Sequence, residues 1–259
     1  MVLSLFALLL GSIWGCESYF LWLSTKSMRV ESLDPVAELF FWECIDPDAL
    51  RYWPVFFTER GEIRSRIERI SPLKCTISRR GVAGTDISIE PLVPWIMAKW
   101  GDKEYFVARD GSAWDRSLQL NSVLKGIKPP ANPPFIFTDD FPPPFAEDDS
   151  VVVKRAVFSM DTIDEWLRGL SALGWGLQVE KIFVARREGR ELVRLVLNRG
   201  ASHILIWGEA GGWRGLKPAL SQIVEQLHFL GDDIIIDTTY TDRIIVRSAE
   251  RGDQEGSGK

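Results

Sequence analysis

The sequence predicts an α+β protein in three parts: an N-terminal transmembrane helix, a small α/β domain, and a mostly antiparallel β domain with two helices. Three observations carry this. The opening MVLSLFALLLGSIWGCESYFLWL is apolar, broken chiefly by Glu17, and a helix of about 20 apolar residues spans a hydrocarbon core. Residues 25–98 run strand, helix, helix, strand, strand by periodicity. Residues 99–248 are dominated by short β-rich runs separated by turn residues.

Composition narrows the functional classes. With 259 residues, 46% hydrophobic and 26% charged, the chain can bury one large core or two smaller ones. A net charge of −5 and an isoelectric point near 5.3 argue against nucleic acid as the main partner, because phosphate contact needs a basic surface. His203, His228, Cys16, Cys44 and Cys75 show no metal-ligand spacing, so no metal or cofactor is expected. Cys44 and Cys75 either pair in an oxidising compartment or, on the plainer reading, stay reduced and buried. The eleven tryptophans are scattered and read as core or membrane-interface residues rather than a ligand cage.

Residues 1–24 are the expected anchor, with Trp14, Tyr19 and Trp22 as interface residues. Glu17 costs about 2–3 kcal/mol at the bilayer centre and less near its edge. A cleaved signal sequence and a buried helix are the alternatives. Against the signal sequence, there is no basic n-region and no small-x-small cleavage site, and Ile13 and Trp14 fit poorly before a lipoprotein-type Gly15-Cys16. Lys26 and Arg29 follow the segment and no basic side chain precedes it, which a missing basic leader would explain.

In the small domain, MRVESL is a strand candidate. DPVAELFFWECIDPDALRYW has helical spacing, with Asp34 and Asp46 before prolines as at helix starts. ERGEIRSRIERISP places Ile63, Ile67 and Ile70 on one helical face and arginines on the other. LKCTISRR and TDISIEPLVPWIM alternate as strands do, through Leu73, Cys75 and Ile77, then Ile87 and Ile89.

The β domain opens with KEYFVARDGSAW, two strands about an Asp110-Gly111 turn. KPPANPPFIFTDDFPPPFAEDD is expected to hold neither a helix nor a central strand, since proline supplies no N–H, and reads as a surface excursion. MDTIDEWLRGLSALG is a helix with Asp161 as its cap and Ile163, Trp166, Leu167 and Leu170 facing inward. LQVEKIFVA, RELVRLVLN and SHILIW are three strands. A last helix, LKPALSQIVEQLHFLG, has Pro218 in its first turn and Gly231 at its C-terminal end. IIIDTTYTDRIIVR then forms two runs meeting at a Thr241-Asp242 turn, the second with no later strand to pair with, and residues 249–259 are a polar tail.

Motifs of chemistry are scarce. GEAGGWRGLK, residues 208–217, is glycine-rich before a helix but has neither GxxxxGK[ST] nor GxGxxG spacing, so a strand-to-helix turn explains it. Asp237 and Asp242 make a conceivable carboxylate pair with no nucleophile or base beside them. The arginines of EIRSRIER read as a solvated helix face, with a partner or lipid surface as the alternative, and His203 as a core or surface residue of a strand. With no GxSxG, HExxH, CxxC or kinase-type set, the expectation is that the chain is not an enzyme.

Several stretches resemble the bacterial cell-division proteins FtsQ/DivIB. SPLKCTISRRGVAGTDISIEPLVPWIM is similar to the family's stretch from a proline, through a strand and an arginine, to an "I.V.E..P.A" strand. YFVARDGSAW resembles its "lvD..G..f" hairpin. LGWGLQVEK and HILIWGEAGGWRGLKPALSQIVEQL resemble its "gW.l.l", "v.LG" and "KL..L..ll" elements, and IIIDTTYTDRIIVR its closing "IDLRY.DR..VR" hairpin. The matches fall in order across residues 60–247. Thr238-Thr239 stand where the family has Leu-Arg, no "V.V.G" opening is present, and the proline-rich 128–149 segment is untypical.

The resemblance implies a bitopic divisome scaffold: an anchor, a POTRA-like domain over residues 25–98, a β domain and a short tail. Its bulk would lie outside the cytoplasm, at the cytoplasmic membrane of the division septum. It implies FtsB/DivIC-type and FtsL-type partners, no cofactor and no small-molecule substrate. The partner would bind by strand addition, with Tyr240, Arg243, Ile244, Ile245, Val246 and Arg247 as the contact residues. An unpaired edge is normally a liability, and a partner strand satisfies its N–H and C=O groups. Arg243 and Arg247 would discourage self-pairing and favour an acidic partner. The alternative is a secreted or lipid-anchored ligand-binding envelope protein with a pocket in the tryptophan-rich β domain.

Overall fold

The computed structural model describes residues 27–45, 53–81, 84–146, 151–173, 178–187, 189–199, 202–209, 213–227, 233–240 and 242–248. The segment read as an anchor, residues 1–24, and the polar tail, 249–259, lie outside the described residues. Among the described residues the chain is mostly β with five helices, and no helix is long and apolar enough to cross a membrane. This corrects the expected α+β class with a transmembrane helix. The longest helix, WPVFFTERGEIRSRIERI, alternates apolar residues with charges that hydrocarbon does not tolerate.

The chain divides into two compact units. The first comprises residues 1–92, 119–127 and 151–153, and the second residues 93–118, 128–150 and 154–259. The division falls after Leu92 rather than at 98 because Pro94–Trp100 is already a strand of the second unit's sheet.

The first unit contains β1 (Ser27–Ser32), α1 (Pro35–Cys44), α2 (Trp53–Ile70), β2 (Leu73–Arg80), β3 (Gly84–Pro91) and a short α3 (Leu120–Val123). Its sheet has the order β1-β3-β2, with β1 parallel and β2 antiparallel to β3. Alternation buries Leu73, Cys75, Ile87 and Ile89, and the helices bury Ala37, Phe41, Phe56, Ile63 and Ile67. Asp34 starts α1: its Oδ1 accepts the Val36 N–H at 2.9 Å, and Pro35 at the first helical position has no N–H to satisfy. Asp46 falls outside the described residues. Ile70, expected inward, is 37% exposed, because the last turn of α2 closes one residue later on Ser71, whose N–H and hydroxyl both donate to Ile67 O. Cys44 and Cys75 are free thiols.

The second unit contains β4 (Pro94–Trp100), β5 (Lys103–Ala108), β6 (Ser112–Asp115), β7 (Phe135–Phe137), β8 (Val153–Arg155, from Lys154 on), α4 (Met160–Leu173), β9 (Gln178–Arg187), β10 (Arg190–Arg199), β11 (Ser202–Glu209), α5 (Trp213–Gln226), β12 (Ile234–Asp237) and β13 (Ile245–Ser248). Ten strands form one sheet in the order β13-β12-β11-β10-β9-β7-β4-β5-β6-β8. The sheet is mixed: β4/β7, β7/β9 and β11/β12 are parallel. A parallel neighbour requires a crossover, and α5 supplies it between β11 and β12. One face packs on the helices, joining Ile182, Leu195 and Ile206 of the sheet to Ile163 and Trp166 of α4 and to Leu220 and Val224 of α5.

Four local expectations change. The proline-rich segment does contain a central strand: β7 lies between β4 and β9, because no proline falls between Pro134 and Pro142, and Phe135, Ile136 and Phe137 all keep their N–H groups. The cap of α4 is Ser159, whose Oγ accepts the Thr162 N–H at 3.3 Å, while Asp161 lies inside the first turn. Helix α5 begins at Trp213, which puts Pro218 inside the helix rather than in its first turn. The final two strands are shorter than expected, β12 ending at Asp237 and β13 beginning at Ile245, which pair with each other, and Thr241 of the expected turn lies outside the described residues. The Asp110-Gly111 turn is as expected: Gly111 takes φ +83°, its N–H donates to Ala108 O, and Asp110 Oδ1 accepts from Ser112 N.

Candidate functional site

Two features of the large sheet stand out, an edge and a face. The edge is β13, IVRS, which pairs antiparallel with β12 and terminates the strand order. Among the described residues it has a strand neighbour on one side only. The predicted contact residues are divided between this strand and the loop before it. Ile245, Val246 and Arg247 lie in β13, with Ile245 half-buried and Val246 41% exposed. Tyr240, on the loop, is 46% exposed, and the Arg243 guanidinium lies 5.2 Å from its ring centroid. Ile244 packs against the hydrophobic core and so offers little to a partner.

The loop is held by its own polar groups. Thr238 donates to Trp207 O from both its N–H, at 2.8 Å, and its hydroxyl, at 2.7 Å. Asp237 Oδ1 accepts from Thr239 N at 3.0 Å and Thr239 Oγ1 at 2.6 Å. Asp237 is therefore a brace, and Asp242 lies beside Arg243 with Oδ1 3.9 Å from its Nε, exposed to solvent. The two threonines, where the resembling family has Leu-Arg, are used for tethering the loop rather than for reaching outward. The arginines of α2 point to solvent, with Arg64 near Glu68 one turn on. Most of the residues following Gly208 in the glycine-rich run lie outside the described residues until α5 begins.

The second feature went unread in the sequence. Residues of β9–β12 alternate between the helix-covered face and an open face. On the open face, Phe183, Arg194, Trp207, Asp237 and Ile245 form one cross-strand row, and Lys181, Val196, Leu205, Ile235 and Arg247 form the next. A β-bulge between Val196 and Leu197 brings Glu180 to the same side as Lys181. Those of β9 to β11, with Ile235 of β12, line a groove of about 220 Å3 together with His203 and Asp233.

The electrostatics of the groove are uneven. Lys181 Nζ sits 2.9 Å from Glu180 Oε1, and this hydrogen bond holds the glutamate carboxyl below its usual range. His203 lies between two carboxylates, with Nε2 3.4 Å from Glu180 and Nδ1 3.5 Å from Asp233, and its backbone N–H donates to Asp233 Oδ1 at 2.6 Å. Arg194 is different. Its guanidinium stacks 4.2 Å from the Phe183 ring centroid, and burial alone pushes its pKa down. Arg194 Nε and the neighbouring Trp207 Nε1 are both buried without a hydrogen-bond partner. The arrangement is suited to binding an acceptor-bearing group. Among the described residues no cluster of histidine, cysteine and carboxylate groups is placed to hold a metal ion.

No protein-family model matches the chain, and no curated protein matches it.

Proposed function

We propose that this chain is a divisome scaffold of the FtsQ/DivIB type, which links FtsB/DivIC-type and FtsL-type partners during septum formation by accepting a partner strand along β13. In this reading it works outside the cytoplasm, at the septal membrane, and catalyses nothing. The observation that supports it is the position of β13: a four-residue strand at the end of a ten-stranded sheet, with Val246 and Tyr240 exposed beside it. Among the described residues no second strand lies along this edge, and a strand laid there gains hydrogen bonds that side chains need only select.

The test is capture of an FtsB-type partner segment by the purified chain. Wild type is expected to retain it, and Tyr240→Ala to weaken retention by about 2 kcal/mol, as an aromatic anchor does. Reversal of both Arg243 and Arg247 to Glu is expected to weaken it further without loss of circular dichroism. Undiminished capture by all these folded variants would show that β13 is not the docking edge.

A further inference from the structure

We propose that the open-face groove over β9–β12 binds a small organic carboxylate with an apolar body about the size of an aromatic ring. This goes beyond the scaffold reading and does not depend on it. Its basis is a half-buried guanidinium whose Nε–H, like the indole N–H of neighbouring Trp207, has no hydrogen-bond partner, beside the apolar side chains of Phe183, Val196, Leu205 and Ile235.

The charges assign the anion to one end of the groove. Glu180 is engaged by Lys181 and His203, and Asp233 accepts the His203 N–H. Arg194 has no carboxylate within ion-pair distance among the described residues, although it sits mid-strand on β10 between Phe183 and Trp207. A guanidinium desolvated without a counter-ion, with its Nε–H unpaired, opposes folding, as does the unpaired Trp207 indole N–H. Hydrophobic residues at 194 and 207 would cover the same floor at lower cost. A carboxylate entering the groove offsets both penalties once the guanidinium turns off the Phe183 ring: that turn frees two guanidinium N–H groups for pairing and uncovers the buried indole N–H beside it for a further lone pair. Phe183, Val196, Leu205 and Ile235 then face the apolar body. The volume, about 220 Å3, is below the usual range for drug-sized ligands, so the body is small.

The experiment is calorimetric titration of the full chain with phenylacetate, 2-phenylethanol as its neutral counterpart, and phenethylammonium as its cationic one. Phenylacetate is expected to bind at one site at least about ten-fold more tightly than the alcohol, and the ammonium ion not at all. Arg194→Met is expected to remove that preference while leaving Tm unchanged or raised, since it deletes a half-buried charge that has no counter-ion. Trp207→Phe, which keeps a ring and deletes the donor, is expected to lower phenylacetate affinity several-fold with the fold intact. The proposal is overturned if phenylacetate binds no better than the alcohol or not at all up to about 10 mM. It is equally overturned by wild-type affinity in either variant, or by a fall in Tm for Arg194→Met, which would mark the arginine as structural.

Discussion

Asp34 does two jobs with one carboxylate. It is 2% exposed, its Oδ1 caps α1 through Val36 N, and its Oδ2 accepts the Lys125 N–H at 2.7 Å just after α3. Asp34→Ala removes the cap and orphans the Lys125 N–H, so a loss of about 2–4 kcal/mol is expected in urea unfolding. Asp34→Asn keeps one acceptor oxygen and is expected to lose about half of that. Cys75 gives a test that depends on pH. Its thiol is pushed up to about 11, first by burial and then by Glu68, with Arg64 opposing, against an ordinary value of 9.0. Between those values the unfolded chain releases this proton while the folded chain holds it. Stability therefore falls as pH rises through that window, by at most about 1.4 kcal/mol per pH unit from this group. Denaturant titrations of wild type and Cys75→Ala across that window are expected to differ by this slope, with the alanine variant the flatter.

At the scale of the element, β13 makes the strand-addition reading testable without knowing the partner's sequence. Alternate residues of an edge strand direct their N–H groups inward to the neighbouring strand and outward to solvent. Of Ile245 and Val246, one therefore donates towards β12 and the other away from it. Proline at the inward position deletes a ladder bond and is expected to lower the melting temperature. Proline at the outward position is expected to leave the melting curve near wild type while abolishing partner capture. If the well-folded one of the pair still binds, the edge is not used. Most strands were readable because they alternate: Leu73 and Cys75, Ile87 and Ile89, Ile182 and Val184 past the bulge in β9, and the runs of β10 and β11 bury every second residue as their sequences imply. Strand β7 was not, because three residues after a proline carry no period, and their central place comes from β4 and β9, which are distant in sequence. The groove was hidden for a related reason. Its lining comes from four strands, and Arg194 in LVRLVL looks like one exposed charge until register sets it between Phe183 and Trp207.

At the scale of the whole second unit, the sheet depends on its shortest central member. On one side of β7 lie β4, β5, β6 and β8, and on the other the five strands β9 to β13, so residues 135–137 hydrogen-bond the two halves together. Phe135 is fully buried and its ring stacks on Trp166 of α4 with centroids 6.3 Å apart, which ties this junction to the helical layer as well. Phe135→Ala is expected to cost about 3–5 kcal/mol by cavity formation and lost ring packing. The position of the cavity predicts where that loss appears. Amides of β4, β7 and β9 should lose hydrogen-exchange protection first, because they border the junction, whereas the β10/β11 ladder retains its own antiparallel register and the cover of α5. The proposed docking edge and the groove around Arg194 both belong to the β9–β13 half. In Phe135→Ala, under conditions where the chain remains folded, partner capture should therefore survive the loosening of β4 and β7, whereas carboxylate binding should weaken as far as β9, which carries Phe183, loosens with them. Loss of protection spread evenly from β4 to β13 would instead mean that the ten strands open as one cooperative sheet and that three residues of β7 do not mark a seam.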